Sequence, residues 1–220
     1  MRYAAILTGF VGIAALTTPA AAAEGGPSPA PGLYIRFVTM TGAAGGTGGL
    51  PASCSGASAI VSEQNQASKW PSWHPVQSTK GDIEQTLNLG SQSTGAGAGK
   101  VTYNPFSVTM APSSLDATLV EYTASGKVLC DVDLLVVGAQ GSTQLYKLRM
   151  AALKTMSWSA DSRGVGSSTY TFEYGGFMIV NQTYRPDGAP GKTTAKAWNR
   201  VLNTSLTPSA TDIALKQLMP

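Results

Sequence analysis

Charge is scarce in this chain. Asp, Glu, Lys and Arg make up 12% of its 220 residues, about half the share usual in a soluble domain. The 15 basic and 12 acidic residues form no run, so the electrostatic track that a nucleic-acid partner needs is missing. Histidine occurs once, at His74. A histidine-dependent triad would have to use it, yet it lies in "WPSWHPV" with no acidic neighbour and reads as a loop or surface residue. One His and two widely separated Cys, with no carboxylate cluster at ligand spacing, give no metal centre. The "GAGAGK" stretch at 95–100 lacks P-loop spacing, and Val101 stands where Ser or Thr is required. Asp131 and Asp133 share a strand face and read as a solvent-facing strand start, not as a paired acid and base. No catalytic constellation is left, so no enzyme and no cofactor are expected.

Long apolar runs are absent too, except at the start. Arg2 followed by "AAILTGFVGIAAL" and "TPAAAAE" reads as a signal peptide over residues 1–23, cut between Ala23 and Glu24. Losing Arg2 takes the basic count from 15 to 14 against 12 acidic residues, a net of +2. No later segment is apolar enough to span a bilayer as a helix. The mature chain is therefore expected outside a bacterial cytoplasm, in the periplasm or the medium. In that compartment Cys54 and Cys130 suggest one disulfide, with two free thiols or an interchain bridge as the alternatives. Closed within the chain, such a crosslink stabilises by roughly 4 kcal/mol.

What is present is glycine and alternation. "EGGPSPAPG" (24–32) reads as a linker, and "TGAAGGTGGLPASCSGAS" (41–58) as a long loop with almost nothing large to bury. "LYIRFVTM" (33–40) places Leu33, Ile35 and Phe37 on one face and Tyr34, Arg36 and Val38 on the other, a strand. Strands are also expected around Val76–Ile83, over 101–110 with Phe106, Val108 and Met110 on one face, and over 130–138. The stretch 144–161 reads as one or two strands, and 168–184 as one long strand or two, interrupted at Gly175–Gly176 by a bulge. One helix is expected over about 112–125: Ser113 to cap, Asp116 in the first turn, Leu115, Leu119 and Tyr122 on one stripe, and Gly126 to end it. The "RPDGAPG" stretch reads as a rigid turn, Trp198 as an anchor, and 211–218 as a short tail helix. The fold class is mainly β: a compact antiparallel β-barrel with one flanking α-helix.

The order of these segments resembles the Hcp family (hemolysin-coregulated protein), the tube protein of type VI secretion. The resemblance rests on "GLYIRF", "HPVQSTKGDIEQ", "GKVTYNPFSVTMAPSSLDATLVEYTASGKVL", "CDVDLLVVGAQGSTQLYKLRMAALKTMSWSAD" and "TYTFEYGGFMIVNQTYRPDGAPGKTTAKAWN", in that order over 33–203. It leaves 204–220 as a C-terminal tail. It implies a compact barrel with a flanking helix, copies assembled into six-membered rings that stack into a hollow tube, and no catalytic site. The leader, the Gly-rich insertion at 41–58 and the cysteine pair depart from that family, and suggest an exported relative that builds an extracellular ring, tube or filament. Its partner would be itself, with a secreted cargo or envelope component as a further one.

On that basis Gly45, Gly48, Leu50, Gly95, Gly97 and Lys100 are candidates for contacts between stacked rings. Tyr146, Lys147, Arg149, Tyr170 and Glu173 are candidates for lateral contacts and the lumen wall. The alternative is a monomeric secreted binding module with a glycan platform at Trp70 and Trp73.

Overall fold

The structure is a computed structural model, and it describes residues 30–40, 54, 57–63, 70–85, 101–138, 142–185 and 189–209. The expected leader, nearly all of the linker and the tail helix at 211–218 lie outside the described residues.

Eleven strands and one helix are described: β1 (Gly32–Thr39), β2 (His74–Val76), β3 (Ser78–Lys80), β4 (Ile83–Gln85), β5 (Val101–Tyr103), β6 (Phe106–Met110), α1 (Leu115–Ser125), β7 (Val128–Val137), β8 (Thr143–Ala160), β9 (Gly166–Tyr184), β10 (Pro190–Asn199) and β11 (Thr204–Leu206). The main sheet runs β11-β10-β9-β8-β7-β1-β2, and β9 also pairs with β6, which pairs with β3. Only Gln77 separates β2 from β3, and its amide donates to the Thr109 carbonyl at 2.8 Å. All pairings are antiparallel, as the short turns between consecutive strands require.

Two faces carry two different cores. The inner face follows the expected alternation: Ile35 and Phe37 of β1, Phe106, Val108 and Met110 of β6, Val132 and Leu134 of β7, and Tyr170 and Phe172 of β9 pack together. Leu115 and Leu119 add the stripe of α1 to this cluster. Each such side chain contributes about 1.5–3 kcal/mol on leaving water. The opposite face holds a second cluster, in which Trp73, Leu135, Val137, Leu145, Met178 and Val180 are buried.

The helix starts later than the cap pattern implies. Ser114 is the N-cap and makes no side-chain cap bond, while the Ser113 hydroxyl accepts from the Leu115 amide at 3.3 Å. Asp116 does lie in the first turn, but its carboxylate accepts from the Ser168 hydroxyl at 2.8 Å and from the Tyr170 hydroxyl. This pins α1 to β9. Gly126 ends the helix with φ of 65°, a left-handed turn in which a Cβ would be strained.

The long stretches resolve into single strands. β8 and β9 form one extended hairpin paired from Thr143↔Gln182 to Ala160↔Gly166. The expected bulge at Gly175–Gly176 is displaced: the register shift falls on β8, between Leu153 and Thr155. Gly175 instead lies opposite Met150, which takes a left-handed φ of 49°. The Val76–Ile83 region is split into β2, β3 and β4. Proline removes an amide at position 75, and Gly81 passes so near Phe106 that a Cβ there would lie 2.5 Å from the ring. The segment after "RPDGAPG" is not only a turn and an anchor: Thr193–Asn199 pairs with β9, with Trp198 opposite Phe177.

Candidate functional site

The two aspartates are not solvent-facing. Asp133 is 0% and Asp131 3% exposed. Antiparallel register sets Asp131 opposite Arg149 and Asp133 opposite Lys147 and Arg36, so both carboxylates point into a row of cations on neighbouring strands. Lys147 Nζ lies 2.9 Å from Asp131 Oδ2 and 2.9 Å from Asp133 Oδ1, bridging the two. Arg36 donates to Asp133 through Nε at 3.1 Å and also through Nη2. Arg149 Nε stands 3.7 Å from Asp131 Oδ1. Above this row the Arg36 guanidinium lies 5.0 Å from the centre of the Trp73 ring, a stacked cation on an aromatic face.

The electrostatics follow from burial. Desolvation, then the neighbouring Asp133 charge, pushes the Asp131 carboxyl up to about 6. Asp133 is also desolvated, but Lys147 and Arg36 together hold it below the usual carboxylate range. Lys147 is held above its ordinary value by the same two carboxylates, against its own burial. Three cations on two carboxylates, locked on three strands, do structural work: they fix the register of β1, β7 and β8, which a one-residue slip would scramble.

His74 is corrected likewise. It is 2% exposed at the head of β2, and its Nε2 donates to the Ile60 carbonyl oxygen at 3.1 Å. Burial pushes its pKa down. The imidazole is thus neutral and tied to the connection that follows β1. That connection is also held by the Cys54–Cys130 disulfide, with Cα atoms 5.9 Å apart, and by a Val38↔Ala59 bridge. The cysteines lie near Asp131, but as a disulfide they offer no thiolate to a metal.

The remaining sequence-derived candidates fall in different places. Gly45, Gly48, Leu50, Gly95, Gly97 and Lys100 lie outside the described residues. Of the five strand candidates, Lys147, Arg149 and Tyr170 are buried within the subunit, which removes them from any surface a lumen or neighbour could touch. Tyr146 and Glu173 keep exposed area. Glu173 accepts from Lys154 Nζ and Arg200 Nη1, each at 3.0 Å. Trp73 is 5% exposed and its ring is covered by Arg36, while Trp70 packs edge-on against Tyr34 with centroids 6.2 Å apart. A sugar needs an open ring face, and Trp73 presents none. Sequence reasoning missed the exposed tip of the β8–β9 hairpin, where Trp158 is 76% and Val165 63% exposed.

No protein-family model matches the chain. No curated protein matches it either. Solved structures do. A type six secretion system protein superposes with a TM-score of 0.62 at 16% identity, over 80% of this chain and 100% of its own. Hcp1 from Salmonella typhimurium gives 0.53 at 18% identity, over 79% and 99%. Hcp1 from the E. coli EAEC 042 pathovar gives 0.53 at 13%, over 77% and 100%. At such identities the correspondence speaks for architecture, and it covers these neighbours essentially end to end: the chain has the Hcp-like fold.

Proposed function

We propose that this chain is a structural, non-enzymatic subunit, exported after cleavage at Ala23, that assembles with copies of itself into rings stacking into an extracellular tube or filament. The carrying observation is the superposition on 100% of a type six secretion system protein at only 16% identity: the whole domain architecture is kept while the sequence has drifted. The Cys54–Cys130 disulfide supports export, since such bonds persist in oxidising compartments. Among the described residues no helix is long and apolar enough to cross a membrane. The ionisable cluster supports a non-enzymatic role, because its charges are spent on one another inside the sheet. Six is the ring number that the family resemblance suggests.

Negative-stain microscopy with light scattering on the oxidised protein tests this reading. Rings or fibres are expected. A strict monomer across concentration and salt would overturn it.

A further inference from the structure

At one end of the inner face the apolar lining is incompletely covered. Val136 of β7, Tyr146 of β8, and Phe177 and Ile179 of β9 are only half-buried, although Leu134 and Phe106 beside them are 1% and 5% exposed. The 79–83 segment faces them, drawn close where Gly81 meets the Phe106 ring. Between the two lies a cavity of about 610 Å3. Small-ligand sites span about 300–1,000 Å3 and are mostly apolar, with a few polar groups that fix orientation.

The lining has a direction. Three aromatic side chains follow one another along its wall: Tyr146 to Phe177 at 6.2 Å between centroids, then Phe177 to Tyr174 at 5.8 Å. Beyond them the Tyr174 hydroxyl reaches the Asn104 carbonyl at 3.4 Å, and Asn104 Nδ2 donates to Asp82 Oδ2 at 3.0 Å. The aromatic wall thus ends beside a carboxylate, and Asp82 itself lines the cavity. Burial pushes the Tyr174 phenol up to about 12; Arg200 opposes that rise and Asp82 adds to it.

Among the described residues, one charge at this end is left uncompensated. The Arg200 guanidinium, 5.2 Å from the centre of the Tyr174 ring, is held by Glu173 at 3.0 Å and by the Tyr174 carbonyl at 3.1 Å. Lys80 stands opposite Ser107, whose hydroxyl meets Thr171 on the strand face away from Phe106 and Val108, so its side chain leads away from the lining. Asp82 is met by a neutral amide and, among the described residues, by no cation. At the other end the Tyr146 hydroxyl donates to Gln144 Oε1 at 2.6 Å, and Gln144 Nε2 donates to Asn181 Oδ1 at 2.6 Å. Aromatic faces attract cations, and a carboxylate does the same while repelling anions.

We propose that this cavity binds a small aromatic ammonium, its ring against Tyr146 and Phe177 and its charge between the Tyr174 ring and the Asp82 carboxylate. Ring contact supplies most of the affinity, and the carboxylate supplies the preference for a cation.

The test is calorimetric titration of the full chain with 2-naphthylmethylammonium, the neutral 2-naphthalenemethanol and the anionic 2-naphthoate. Saturable one-to-one binding of the ammonium is expected, about fivefold tighter than the alcohol, with naphthoate weaker than both. Ile179→Trp fills the cavity and should weaken the ammonium at least about tenfold. Val136→Phe narrows it from β7 and replaces that variant if it fails to fold. Asp82→Asn, at an exposed position, keeps an acceptor for Asn104. It should bring the ammonium to within about twofold of the alcohol and leave the alcohol's affinity unchanged. No saturable binding, naphthoate as tight as the ammonium, an unchanged affinity in a folded filled variant, or a preference that survives Asp82→Asn would overturn the proposal. None of these outcomes depends on whether copies assemble.

Discussion

Asp133 is the residue on which the charged row turns. It is fully buried and receives Arg36 and Lys147, so removing its charge leaves two cations in the interior of the fold. Breaking a buried pair from one side costs about 3–5 kcal/mol, and Asp133→Asn should lower the unfolding free energy in urea by that amount. A loss under about 1 kcal/mol would place the row in a more solvated setting than its burial implies. Acid titrates two other groups in opposite directions. The folded-state value of Asp131, about 6, lies above its ordinary 3.8, so the folded state binds a proton first. From this group, stability is gained as pH falls from about 6 towards 4, by up to about 3 kcal/mol. The groups facing it are Asp133, Lys147 and Arg149. His74 runs the other way: buried neutral, its pKa lies below the ordinary 6.5, so its contribution is present above that pH and is lost on acidification. Asp131→Asn should therefore make the protein lose more stability than wild type between pH 7 and pH 5, and His74→Gln should make it lose less. Urea midpoints read across that range check both signs.

At the scale of elements, the disulfide is the clearest device. It fastens the connection after β1 to the start of β7, across a sequence separation of 76. Reducing it, or replacing both Cys54 and Cys130 with Ser, should cost about 2–5 kcal/mol and shift the thermal midpoint accordingly. An unchanged midpoint after complete reduction would mean that His74 and the Val38↔Ala59 bridge hold the segment unaided. The elements that were legible in the sequence are those with a local signal: β6 alternates cleanly, β1 and β7 carry short runs rich in Val, Ile, Leu and Phe, and α1 carries its stripe and its terminal Gly126. β10 was hidden because its first half reads "KTTAK", polar enough to pass for loop, while its pairing with β9 is what makes it a strand. The charged row was hidden for a related reason. Asp131-x-Asp133 looks solvated until Lys147-x-Arg149 is set beside it in register, and that register belongs to the sheet. Opposite charges at matched two-residue spacing on consecutive strands were the available signal. Trp73 and His74 could not be placed from composition, since their burial depends on Arg36 and on Ile60.

For the whole molecule, the assembly proposed above requires a surface that meets another copy, and the β8–β9 hairpin is the strongest exposed candidate among the described residues. Its tip carries Trp158 at 76% and Val165 at 63% exposure, beyond the last inner-core residues of both strands. Exposed tryptophan gives large apolar area at little entropic cost and is enriched among residues that dominate protein interfaces. The tip is also held in shape without a partner: Asp161 accepts from the Arg163 and Val165 amides at 2.9 and 3.0 Å and pairs with the Arg163 guanidinium at 2.8 Å. A preformed tip loses less freedom on docking. Trp158→Glu should therefore leave monomer stability within about 0.5 kcal/mol, as for other exposed substitutions. If Trp158 anchors the contact between copies, the same change should raise the concentration needed for assembly by at least about tenfold, as loss of an interface hot spot does. Sedimentation velocity over a concentration series separates the two effects. Unaltered assembly by Trp158→Glu would move the contact surface away from the hairpin and onto an edge of the sheet such as β11, which is paired with β10 along one side.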